Sequence, residues 1–178
     1  MICQLKNALL KFFAMIFCCL HFQNLPAQIE KKSEIFLVKA EEPGKPFSLT
    51  IQILDIHSKK PVTDAEVLVY QTNHKGDYEA TPGRKARISG TAFSDASGNI
   101  TFHTIYPRGY NDSPTGEHIH FQLKASNYER QNSDLIFADH YRKRYDFNNP
   151  VTYKVYLKSL EEKNGRLFGH AMIYMKKQ

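Results

Sequence analysis

Short runs of alternating polar and apolar residues, broken by turn signals, restrict this chain to strands. Phe47, Leu49, Ile51 and Ile53 alternate with Ser48, Thr50 and Gln52, and Ile119, Phe121 and Leu123 alternate with His118, His120 and Gln122. A period of two places one set against a core and the other on the opposite face. Residues 35–38, 65–71, 90–94, 100–104, 151–160 and 166–175 read as further strands. Turn signals lie at Glu42-Pro43-Gly44, Ser58-Lys59-Lys60-Pro61, Asn73-His74-Lys75-Gly76-Asp77, Pro82-Gly83 and Ala96-Ser97-Gly98-Asn99. Asn164-Gly165 is a strong hairpin signal between the last two strands. Helical spacing is found only near residues 132–141. Many short strands at regular intervals predict an all-β chain, a single-domain antiparallel β-sandwich.

The first 27 residues have a different character. Lys6 and Lys11 precede an unbroken apolar run over residues 12–20, and Leu25-Pro26-Ala27 offers a small-residue cleavage site before Gln28. This is the pattern of a secretory signal peptide, so residues 28–178 are expected to form the exported domain, periplasmic or extracellular. The apolar run is too short for a comfortable membrane span, an uncleaved anchor or buried helix being the alternative, and no stable membrane span is expected after cleavage. Cys3, Cys18 and Cys19 all lie in this segment. A mature chain without cysteine has neither disulfides nor thiolate ligands, so its stability must come from a core, and any metal site must use His, Tyr, Asp or Glu.

The net charge of +6 falls to +4 once Lys6 and Lys11 are removed. The densest basic cluster, Arg142-Lys143-Arg144, is short and flanked by Tyr141 and Tyr145. Nucleic-acid binding would call for a longer basic stripe and a recognisable module, so no nucleic acid is expected as a partner.

The alternation at residues 117–123 does more than define a strand. It sends the imidazoles of His118 and His120 out together, away from the apolar layer, where two neutral rings are well placed to bind a metal. His103 shares a face with Thr101 and reads as a surface residue. His57, His74 and His170 have no partner pattern.

From residue 47 to residue 137 the chain resembles the intradiol ring-cleavage dioxygenases, especially the protocatechuate type. Pro61-Val62-Thr63-Asp64-Ala65-Glu66-Val67 looks like that family's opening hairpin. Gly76-Asp77-Tyr78 resembles its Gly-x-Tyr, and Ser94-Asp95-Ala96-Ser97-Gly98-Asn99-Ile100-Thr101-Phe102-His103-Thr104-Ile105 resembles its central stretch. Pro107-Arg108-Gly109-Tyr110 is similar to the turn that carries its second tyrosine, and His118-Ile119-His120-Phe121 to its histidine pair. The resemblance implies a prealbumin-like or intradiol dioxygenase-like sandwich with a non-haem Fe(III) held by Tyr78, Tyr110, His118 and His120. Tyr106 competes with Tyr110 on spacing, but the family pattern favours Tyr110. Anionic phenolate oxygen suits a hard ferric ion, and imidazole is acceptable to it. The implied reaction uses dioxygen to open a catechol-type ring between its two hydroxyls, with Tyr78 and Tyr110 catalytic and Tyr78 leaving the metal to take a substrate proton. Subunits of this family often associate, so a homo-oligomer is within expectation.

Two departures qualify the resemblance. Thr115-Gly116-Glu117 stands where the family usually has Arg-Pro-x, and that arginine is thought to stabilise negative charge on the bound ring. Leu135 falls where a glutamine is common. Arg84, Arg87, Arg108 and Gln122 are the candidates to replace these groups in space, and Glu117 is a candidate acceptor for an imidazole N–H. The alternatives are an iron-binding homologue with lost or altered activity, and a non-catalytic binding module. The opening hairpin also resembles transthyretin-like, carboxypeptidase-regulatory-like domains.

Overall fold

The alternating runs become nine strands in the computed structural model, which describes residues 30–80, 82–83, 86–110, 116–137 and 155–178. They are β1 (Glu34–Phe36), β2 (Pro46–Asp55), β3 (Glu66–Gln71), β4 (Ile88–Phe93), β5 (Asn99–Ile105), β6 (His118–Lys124), β7 (Gln131–Ile136), β8 (Val155–Lys163) and β9 (Arg166–Met175). Five form one sheet in the order β1-β5-β2-β9-β8, and four form a second in the order β4-β3-β6-β7. The all-β sandwich read from the sequence is borne out. Phe47, Leu49, Ile51 and Ile53 from β2 meet Val67 and Val69 from β3 and Ile119 and Phe121 from β6 in one buried cluster. Phe102 and Phe121 face each other from the two sheets with ring centroids 6.2 Å apart. Residues 1–27, the proposed signal segment, lie outside the described residues, as do Arg84, Thr115 and the stretch from residue 138 to 154.

Two observations depart from the reading above. The five-stranded sheet is mixed, because β1 runs parallel to β5 and β9 parallel to β2. No tight turn joins either pair, and alternation states which face a strand buries but not its direction. The second departure is the hint of helix near residue 132. The described part of that segment is β7, with Gln131, Ser133 and Leu135 buried and Asn132 and Asp134 exposed. Pairing with β6 supplies the backbone partners, and the two-residue period prevails over a weak helical one. This matters for the site, because it brings Asp134 opposite His120.

Candidate metal centre

His118 and His120 open β6 on one face of the four-stranded sheet. A carbonyl can only accept, so the 2.8 Å contact between His118 Nδ1 and the Gly116 carbonyl makes Nδ1 the donor and leaves Nε2 bare. The same logic holds for His120, whose Nδ1 lies 2.5 Å from Asp134 Oδ1. Both bare Nε2 atoms point toward two phenols. His118 Nε2 is 3.0 Å from the Tyr110 hydroxyl. His120 Nε2 is 2.7 Å from the Tyr78 hydroxyl and 3.3 Å from that of Tyr110. The two hydroxyls also touch each other. Two phenol oxygens and two imidazole nitrogens thus meet within hydrogen-bond reach, brought from a loop after β3, a loop after β5 and the start of β6.

Local structure explains how each phenol arrives there. Asn73 folds the loop before Tyr78 by accepting from the backbone N–H groups of Lys75 (2.8 Å) and Asp77 (3.1 Å). The Arg87 N–H then donates to the Tyr78 carbonyl at 2.8 Å. The Arg87 guanidinium grips Glu79 and also Glu42, the latter at 2.6 Å, and these hydrogen bonds hold both carboxyls below their usual range. Tyr110 is placed by its neighbour. A Cβ on Gly109 would lie 2.8 Å from the Gly116 backbone, so only glycine allows the two ends of this loop to approach so closely. Thr72 Oγ1 donates to the Arg108 carbonyl at 2.5 Å and ties the loop to the end of β3.

Burial sets the charge state. Desolvation, followed by the hydrogen bond with Tyr110, pushes the Tyr78 phenol well above the usual range, so a phenolate here requires a strong positive charge in the site. Desolvation likewise lowers His118 and keeps it neutral, which leaves its lone pair available. Among the described residues no three His, Cys, Asp or Glu side chains are grouped to hold a metal. The oxygen donors that meet the two Nε2 atoms are the phenols of Tyr78 and Tyr110. The donor set fits a hard trivalent cation such as ferric iron better than a soft one.

Several sequence candidates fall outside this cluster. Tyr106 packs against Phe47 and Phe137 in the apolar layer, with centroids 5.7 and 4.9 Å away. His103 is on the other sheet, bonded to Ser48 at 2.9 Å and to Glu34 at 2.7 Å. Leu135 is a core residue. Arg108 is exposed, and Arg87 is held by its two carboxylates. Gln122 lies one rung beyond His120 on the same face of β6. Glu117 is not the imidazole acceptor that the sequence suggested; the Gly116 carbonyl and Asp134 fill that role. Tyr70 was also missed. It stacks on the His120 ring at 4.7 Å and 19°. Both omissions are cross-strand neighbours, which only the register reveals.

Residues 21–165 match the family model described as Dioxygenase. The chain belongs to the dioxygenase family. The resemblance to intradiol ring-cleaving members is borne out among solved structures. The dioxygenase domain of a dioxygenase carbohydrate-binding protein fusion from Streptomyces sp. SirexAA-E is 20% identical, with a TM-score of 0.65 over 85% of this chain and 92% of that one. A 3-chlorocatechol 1,2-dioxygenase from Rhodococcus opacus 1CP is 17% identical, with a TM-score of 0.63 over 86% and 70%. An intradiol ring-cleavage dioxygenase from Tetranychus urticae is 18% identical, with a TM-score of 0.60 over 85% and 90%. At these identities the likeness is one of fold. No curated protein sequence matches the chain.

Proposed function

We propose that this dioxygenase is an exported non-haem iron(III) enzyme that opens a catechol-type ring between its two hydroxyls. The reading rests on one observation, the meeting of the Tyr78 and Tyr110 hydroxyls with the bare Nε2 atoms of His118 and His120. These four side chains would hold the ion. A ferric ion supplies Lewis acidity and a site at which a catechol dianion and dioxygen react. The protein's own part is binding and proton transfer. The Gly116 carbonyl fixes the His118 tautomer and leaves its Nε2 free to bind. Tyr78 Oη would accept a proton from the catechol: burial makes its phenol resist ionisation, so its phenolate would be a strong base. Tyr110 would help the two histidines hold the ion. Export rests on the pattern of residues 1–27.

A second reading, a ferric protein with little turnover, is favoured by Thr115 in place of the family arginine and by the engagement of Arg87 with Glu42 and Glu79. The non-catalytic binding-module alternative has no comparable observation behind it. Oxygen uptake by the ferric-loaded protein with a panel of catechols separates the two readings. The enzyme consumes one dioxygen per ring opened and gives a muconate-type diacid. A coloured protein that takes up no oxygen with any catechol supports the silent homologue instead.

A further inference from the structure

The side of His120 that faces away from the phenols carries a second arrangement. One rung of the four-stranded sheet reads Tyr70, His120, Asp134 across β3, β6 and β7. Tyr70 lies against the face of the imidazole, at 4.7 Å and 19°, and sets the plane of the ring. Asp134 bonds its edge at Nδ1, at 2.5 Å, and so opposes a flip within that plane. A flipped ring would break this bond and turn carbon, in place of Nε2, toward Tyr78.

We infer that Asp134 is a positioning residue for the metal centre: its carboxylate, bonded to His120 Nδ1, aims Nε2 at the ion and makes that imidazole a stronger donor. This rests on the ferric reading above. A stability role does not explain the pair. The Asp134 side chain is 51% exposed on an edge strand, against 18% for His120, and exposed polar pairs of this kind contribute little to stability. A carboxylate on the far nitrogen of a ligating histidine, by contrast, fixes the tautomer and raises ligand basicity, and losing one weakens metal binding about 10- to 100-fold.

The test is made on the full chain loaded with Fe(III), by visible absorption and by iron affinity in competition with a chelator. Three variants are compared with wild type: Asp134→Asn, Asp134→Ala, and Glu66→Gln. The last removes a carboxylate two rungs away on the same face, where Glu66 pairs with Lys124 at 3.1 Å. Asp134→Asn keeps an acceptor but loses the charge, so it should retain iron while its tyrosinate-to-iron band moves to longer wavelength, since the ion becomes more electron-poor. Asp134→Ala should show the same shift and about 10- to 100-fold weaker iron binding, and Glu66→Gln should match wild type in both. Unchanged band and affinity in both Asp134 variants overturn the inference while the ferric reading stands. An equal shift in Glu66→Gln also overturns it, since the effect would then be one of general charge. A wild-type protein that takes up no ferric ion overturns the ferric reading and this inference together.

Discussion

At Tyr78, His118 and Asp55 the surroundings decide protonation more than residue type does. Burial favours the neutral form of both Tyr78 and His118, which suits the proposed centre, whose charge would arrive with the ion. Asp55 goes the other way. At the end of β2 it accepts from Ser58 N (2.6 Å), Ser58 Oγ (2.8 Å) and His57 N (3.1 Å), while Tyr128 donates to its other oxygen at 3.2 Å. The Ser58 bonds above all hold its carboxyl at about 2. A depressed carboxyl stabilises the fold above the unfolded-state value of 3.8, and that contribution is lost as pH falls from there through about 2. Urea midpoints measured across this window should therefore fall with acid more steeply in wild type than in Asp55→Asn; parallel curves would count against the assignment. The four donors of the candidate site were legible at this scale, through His-x-His spacing and the ordered tyrosine motifs. Asp134 was not, because nothing adjacent in sequence marks it as the partner of His120.

Strands were read well where one face is wholly apolar, as in β2 and β6, and less well in β7, where Gln131 and Ser133 occupy inward positions. Gln131 Nε2 donates to Ser133 Oγ at 2.7 Å, so two buried polar groups satisfy each other and the pattern no longer looks amphipathic. Direction was illegible for β1 and β9, which enter the sheet without a tight turn. Turns are more exacting than strands. The turn from Asp95 into β5 has Asp95 Oδ1 accepting from Ser97 N and Asn99 N, both at 2.8 Å. It also brings Gly98, at φ +75°, so near β2 that a Cβ would sit 2.5 Å from the Ile53 carbonyl oxygen. Gly98→Ala should cost about 1–3 kcal/mol in urea unfolding, the range for a strained backbone position. Gly165, at φ +77° with nothing within 4 Å, provides the comparison. Its alanine variant should cost less, and equal losses would show that the close approach to Ile53 contributes nothing.

On the scale of the molecule, the two sheets bury one apolar cluster, while the candidate site lies at the start of β6 with the loops that follow β3 and β5. This division lets the site be altered without dissolving the core, since the Tyr78 and Tyr110 hydroxyls can be removed while their rings remain. In the proposed enzyme two phenol oxygens and two imidazole nitrogens would share one ferric ion, and the most direct measurement is the visible spectrum of the iron-loaded chain. Wild type should be red-brown, with a tyrosinate-to-iron band that is weakened in Tyr78→Phe and in Tyr110→Phe while both variants keep the wild-type melting temperature without metal. A colourless iron-loaded protein, or a band that neither substitution changes, would contradict it.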